Sequence, residues 1–444
     1  MKKEKILLLT LLLVYVLLVM SPTRWLFPFA WLVLFSVFSR FFKTDLPESL
    51  YLLTVFSLPF TFGKTLFSQP EYPLIATPFL LLVSASTLLS LRRLFFLKTD
   101  FIRLLPLFFL MLAAVSLLTS IHPAVSVVGL AELTSFVFFY YLSLLYLKDK
   151  TVFMLSATLL LSFLCFESLL IISQSIAGRP LGLLIEQGLL KFPWGRIEGE
   201  SKLLFRPSGT FAEPTFASRL MTLLLPLTLV LPAKLLPFLK KFRLPLLIAG
   251  VVAILLTLTR VSMLTAAILV CLTLYWRRKK LPKFRFRFQK LFPAVLATGL
   301  LFYFLLPPLF QRLKNTPLSF GESGSMSVRL KLLQETTKIL PYRPLTGVGL
   351  NSFVPAAGLL VSENFDEEDL QPVHNVPLLI AVETGLPASF LFLIFLLWQF
   401  RRSYGSHHQL ALLGVSAYLL ETSMGTNFLS PHLALLFYYA ALNS

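Results

Sequence analysis

Residues 124–177, AVSVVGLAELTSFVFFYYLSLLYLKDKTVFMLSATLLLSFLCFESLLIISQSIA, decide the fold. Two apolar runs, 124–147 and 151–177, flank the charged hinge Lys148-Asp149-Lys150. Each run has the length that carries a helix across a hydrocarbon core of about 30 Å. A chain in lipid must satisfy its backbone polar groups internally, and a helix does so within one segment. Outward from this pair, further runs are expected to span at 6–20, 25–40, 49–62, 73–90 and 103–120 on the N-terminal side. On the C-terminal side they are expected at 209–233, 244–259, 261–276, 291–309, 375–399, 409–424 and 428–443. The short last pair is also compatible with one re-entrant hairpin. The predicted fold class is therefore all-α, a polytopic integral membrane protein with about 12–14 transmembrane helices, forming a single membrane-embedded domain over 1–444.

The whole-chain composition agrees with that reading. Of 444 residues, 56% are hydrophobic and 14% charged, the net charge is +19 and the mean hydropathy is +0.79. A soluble chain carries roughly 25% charged residues. A soluble enzyme, a nucleic-acid-binding module and a disordered chain are all excluded.

Charge placement sets the orientation, because cytoplasmic loops are enriched in Lys and Arg. With the N-terminus inside, 25 of the 40 basic residues fall in cytoplasmic segments, among them Lys2, Lys3, Arg92, Arg93, Arg401 and Arg402. The expected topology is N-in, C-in. Two segments dominate the outer face, 178–208 and the large loop 310–374, the latter with short helices. The opening MKKEKILLLTLLLVYVLLVMSPTRW is similar to a signal peptide but lacks a small-x-small cleavage site, with Pro22 where cleavage would fall, so an uncleaved first span is expected. Cys165 and Cys271 lie within predicted spans and read as small packing residues. The block RRKKLPKFRFRFQK, 277–290, interleaves Arg with Phe, but as a cytoplasmic loop it serves orientation and contact with anionic lipid.

Ionisable groups inside spans are costly and serve function or helix pairing by default. Here they are Glu132, Glu167, Glu213, Arg219, Glu383 and Glu421. Glu132, Glu167 and Glu421 read as hydrogen-bonded interior carboxyls, and Glu213 and Arg219 as pairing with other helices. Four outer elements hold more chemistry: FRPSGTFAEPTFASRL (205–220), LTLTRVSML (256–264), SVRLKLLQETTKILPYRPLTGVGLNSF (327–353) and HNVPLLIAVETGLPA (374–388). The third predicts an amphipathic helix, with Val328, Leu332, Thr336 and Ile339 on one face and Arg329, Lys331, Glu335 and Lys338 elsewhere. GVGLNS, with no preceding strand, reads as a tight turn rather than a nucleotide cradle. In the fourth, a continuous helix would bring Gly385 and Ala388 within about 20° and 40° of His374, a small-residue face open to a neighbouring helix. The run Asp366, Glu367, Glu368, Asp369 reads as a solvated loop, and no metal site or cofactor is expected.

Together these elements resemble the O-antigen ligase/polymerase superfamily of polytopic glycan-transfer enzymes. The resemblance is carried by Arg206 with Gly209, Thr210 and Phe211, by Arg260, by Arg329 with Pro344, Leu345, Gly347 and Gly349, and by His374 with Asn375. His374, Asn375, nine residues, Gly385, two residues and Ala388 is the ligase-type spacing, with Ala388 standing where Gly, Thr or Tyr is usual; Thr259 likewise replaces the usual Ser. The resemblance implies transfer of a glycan from undecaprenyl diphosphate to a lipid A-core sugar hydroxyl, at the periplasmic face of a bacterial inner membrane. Arg260 and Arg329, supported by Arg206, would hold the diphosphate leaving group, since arginine stays charged and offers forked donors to phosphate. His374 would serve as general base, with Asn375, Glu213 and Gly385 in support. The implied partners are the lipid-linked donor, the lipid A-core acceptor and membrane lipids, with no nucleic acid. The related polymerase, extending lipid-linked repeats, is the nearest alternative; a lipid-linked glycan flippase is an alternative of another class.

Overall fold

The computed structural model describes residues 2–20, 26–60, 64–67, 74–98, 100–183, 186, 196–198, 203–231, 239–277, 325–361, 371–405, 409–426 and 428–443. The fold is all-α and polytopic. Two short antiparallel hairpins in loops, β1 (Lys64–Phe67) with β2 (Leu74–Ala76) and β3 (Arg196–Glu198) with β4 (Leu203–Phe205), are its strands among the described residues. The expected span 291–309, the basic residues 278–290 and the acidic run 366–369 lie outside the described residues.

One unit comprises residues 1–163 and 325–444. It opens with α1 (Lys2–Met20), α2 (Leu26–Val37) and α3 (Leu46–Ser57). Asp45 starts α3 with a capping box: its carboxylate accepts the Glu48 amide while Glu48 accepts the Asp45 amide. The span expected at 73–90 starts late. Residues 74–76 pair in the hairpin, and the helix α4 (Pro78–Phe95) begins only after Thr77, whose hydroxyl caps the Leu80 amide. Then come α5 (Phe101–Ser116), α6 (Pro123–Tyr146) and α7 (Lys150–Ala177). The helices α4 to α7, α5 with its 3-10 extension to Thr119, are each long and apolar enough to cross a membrane. Shorter apolar helices lie at 27–42, 214–230 and 260–275. The apolar window of α7 is 72% buried and that of α5 only 28%. Helices in lipid gain little from hiding apolar surface and associate through packing and interhelical hydrogen bonds. Here Tyr51 pairs with Ser143 (3.1 Å), Ser90 with Tyr146 (2.6 Å) and Ser156 with Tyr438 (2.9 Å).

After residue 324 the same unit resumes with α11 (Ser325–Ile339), α12 (Phe353–Val361), α13 (Val376–Thr384), α14 (Leu386–Gly405), α15 (Gln409–Thr422) and α16 (Pro431–Ala441). On α11, Leu332, Thr336 and Ile339 are buried as the periodicity predicts. Glu335 departs from the expectation: it is buried too, and its carboxylate takes the Lys338 ammonium at 2.9 Å. The span expected at 375–399 is two helices, because Gly385 breaks it at φ +89°. At the ends predicted to be cytoplasmic, Arg93 pairs with Asp45 (2.7 Å) and Arg402 with Asp100 (3.5 Å). Some orientation charges therefore also tie helix ends, at about 0.2–1 kcal/mol each where exposed.

The other unit, residues 164–324, contains the end of α7, then α8 (Pro214–Val230), α9 (Leu239–Leu256) and α10 (Arg260–Arg277). The helix α8 is buried along nearly its whole length, packs against α9 and α10, and meets α10 through the Ser262 hydroxyl donating to Ser218 (3.1 Å). It starts five residues later than the expected span 209–233. Pro214 fixes the first helical turn, and Glu213 stands outside the helix, accepting the Thr215 hydroxyl at 3.0 Å. Cys165 and Cys271 are exposed on α7 and α10, which corrects their reading as packing residues. Helical phase turns both away from the packed faces.

Candidate functional site

The candidate residues divide between the units: Arg206, Glu213 and Arg260 in one, Arg329, His374, Asn375 and Gly385 in the other.

In the first, the stretch 206–211 is built around its glycine. Gly209 has φ +63°, and a Cβ there would run into the Glu167 carboxylate. That carboxylate accepts both the Thr210 amide (2.9 Å) and the Thr210 hydroxyl (3.2 Å). Gln174, two turns further along the same face of α7, accepts the Gly209 amide (2.8 Å) and donates to the Gly209 carbonyl (2.9 Å). Glu167 is thus the hydrogen-bonded interior carboxyl expected of it. Its partner is the Gly-Thr pair of the Arg206 motif, a contact 43 residues away in the chain.

This anchorage aims Arg206 at the next motif. Its Nε donates to the Thr257 carbonyl (2.9 Å) and a terminal nitrogen to the Thr259 hydroxyl (3.2 Å). Thr257, Leu258 and Thr259 form the turn between α9 and α10, and Leu258 holds φ +55° although its side chain is buried. A non-glycine residue in that region costs of order 1–3 kcal/mol and persists only where its surroundings fix it. Arg206 is one of the groups that fix it. Arg260 follows as the first residue of α10, exposed, where the helix dipole favours an anion. The two arginines therefore meet one turn: Arg206 grips it and Arg260 projects from it.

In the other unit, His374 sits at the apex of a three-residue turn, the Asn375 amide donating to the Val373 carbonyl at 2.8 Å. The flanking Val373 and Val376 are fully buried, and His374 itself is half-buried. Asn375 caps α13 through its side-chain oxygen, which accepts the Leu378 amide (3.0 Å). His374 is therefore outside the helix. The small-residue face expected below it does not form, because that geometry needed an unbroken helix through Gly385. What Gly385 does is make room: a Cβ on it would meet the Leu345 carbonyl, and the Leu386 amide donates to Pro344 at 2.8 Å. Ser389 closes the break by donating to the Pro377 carbonyl (2.7 Å).

The Pro344–Gly349 stretch thus lies against the end of α13. Gly347 and Gly349, at φ +72° and +110°, confirm the tight turn expected there. The Val348 and Gly349 amides donate to the Val382 and Glu383 carbonyls, each at 2.9 Å. Ser126 and Ser352 share a hydrogen bond at 2.9 Å and Ser120 and Ser126 one at 2.7 Å, tying the start of α6 to the same turn. Arg329 is half-buried on α11, which leads through a 3-10 turn (Leu340–Tyr342) into this stretch. The motifs of Arg329 and of His374 are therefore joined backbone to backbone. The sequence offered Glu167 and Glu383 only as intramembrane carboxyls and gave no sign of Gln174, Ser126 or Ser352.

Comparison with known families matches residues 245–393 to the O-antigen ligase family. Arg260, Arg329 and His374 all fall inside that stretch, and the resemblance to the O-antigen ligase/polymerase superfamily is borne out over it. No curated protein matches the chain.

Proposed function

We propose that this protein is an O-antigen ligase that moves a glycan en bloc from undecaprenyl diphosphate to a sugar hydroxyl of lipid A-core, on the periplasmic side of the bacterial inner membrane. The observation that carries the reading is the Thr257–Arg260 turn. Arg206 bonds to this turn and Arg260 begins the helix that leaves it, so two arginines and a helix N-terminus belong to one segment. Such a site suits a diphosphate. No nucleotide is available outside the cytoplasm, so the lipid diphosphate must itself be the leaving group. The acceptor oxygen attacks the anomeric carbon while the bond to the diphosphate oxygen breaks, and the electron pair leaves with undecaprenyl diphosphate. The acceptor proton passes to His374 and then to water. Arg260 and Arg329 stabilise the charge that grows on the diphosphate, with Arg206 holding the turn. Direct attack inverts the anomeric centre. This route needs no metal ion, because the arginines supply the positive charge.

The test is reconstitution of the purified full-length chain in liposomes with undecaprenyl-diphosphate glycan and lipid A-core. Glycan appearing on the core supports the ligase. Lengthening of the lipid-linked glycan instead identifies the polymerase, and absence of both overturns the reading. Arg260→Ala, at an exposed position where folding should be spared, is expected to lower transfer by about 10²–10³-fold, the usual cost of removing a donor aimed at developing charge.

A further inference from the structure

His374 and Arg329 stand on separate elements of one unit, and their spacing must be held by something between them. The helix α13 is nine residues long, about 13 Å at 1.5 Å per residue. His374 precedes its first turn and Glu383 lies in its last. The final carbonyls of a helix have no partners within it. Here the Val382 and Glu383 carbonyls take the Val348 and Gly349 amides. The side chain of Glu383 engages the same segment from the other direction. Its carboxylate accepts the Phe353 amide (3.1 Å), and the Asn351 amide faces it as well.

Phe353 is the first residue of α12, so the Glu383 carboxylate caps that helix from outside it, at the end where the dipole favours an anion. Asn351, whose amide faces the same carboxylate, has φ +61°. The approach is close enough that a Cβ on Gly347 would strike the Glu383 carbonyl. One buried residue, 3% exposed, thus grips the 347–353 turn with its backbone and its side chain together. On the N-terminal side that turn continues from the Arg329 helix; through α13 the grip reaches His374.

We infer that Glu383 is a positioning residue, whose carboxylate clamps the 347–353 turn to the end of α13 and so sets the spacing between Arg329 and His374. It does this without touching substrate. The functional half of the inference rests on the transfer reaction proposed above; the clamp itself does not.

The experiment measures amide hydrogen exchange and transfer kinetics on the same reconstituted full-length protein, for wild type, E383A and E383Q. In E383A, exchange across 348–353 is expected to rise at least tenfold and kcat to fall at least tenfold, with KM for the lipid-linked donor staying within threefold. E383Q keeps a carbonyl oxygen facing the two amides and should recover most of both losses. If E383A is not obtained folded, E383D replaces it, its carboxylate ending one methylene short of the amides. Unchanged exchange in the variant overturns the clamp, and raised exchange with full kcat overturns the positioning role. If wild type transfers nothing, the ligase reading falls; the clamp is then upheld by raised exchange in E383A and overturned by unchanged exchange.

Discussion

His374→Ala is expected to lower glycan transfer by about 10²–10⁴-fold, the range a positioned general base contributes, while the protein folds and still binds the lipid-linked donor. The structural grounds for separating these effects are local. His374 is at the apex of a turn outside α13, the Asn375 cap and the buried Val373 and Val376 do not depend on its ring, and the side chain is only half-buried. Removing the ring therefore leaves the Asn375 cap and the backbone turn in place. The measurement is the rate of core glycosylation, with donor binding followed separately. A variant that keeps near wild-type rate removes His374 from the role of base.

Gly385→Ala is expected to have the largest effect on folding, a loss of about 2–6 kcal/mol from backbone strain together with overpacking. Gly385 holds φ +89° and ψ 159°, a region essentially confined to glycine. A methyl group there would also strike the Leu345 carbonyl oxygen, and backbone on backbone cannot yield as a side chain can. Relief of either problem pulls Pro344–Gly349 away from the end of α13. The measurement is the apparent unfolding temperature of the purified protein in detergent, followed by loss of monodisperse material on heating. A transition within about 2 °C of wild type would show that the break tolerates a side chain. Transfer should fall with it, since Arg329 and His374 are linked through this junction.

Much of the candidate site was legible as types of residue in order along the chain. Arg206, Arg260 and His374 were found because an arginine or histidine at the end of an apolar run is conspicuous. The tight turn at 347–352 also followed from local composition, whereas the spans expected at 244–259 and 261–276 put the break at Arg260 and the structure puts it at 257–259. The misread positions share one cause. Gly385 was placed inside a helix because its apolar neighbours continue the helical pattern, and only contact with Leu345 shows why the helix must stop. Glu335 falls off the apolar face in the helical pattern, yet it is buried beside Lys338. Glu167 and Glu383 were visible as carboxyls in spans, but their partners, Thr210 and the Asn351 and Phe353 amides, lie 43, 32 and 30 residues away.

By itself the sequence determined that this is a helical, multi-pass membrane protein and, among the described residues, where most of its apolar helices lie. Those properties follow from segment length and hydropathy, which need only neighbouring residues. It also determined the order of the motifs that relate the chain to the O-antigen ligase family. Only the tertiary structure decided how those motifs are held: Arg206 on the turn before Arg260, Gly209 and Thr210 on Glu167, and the turn after Arg329 on the end of the helix behind His374. A hydrogen bond across tens of residues has no periodicity to betray it. It exists because packing leaves a buried donor and acceptor no other partner, and that condition is set by the whole fold.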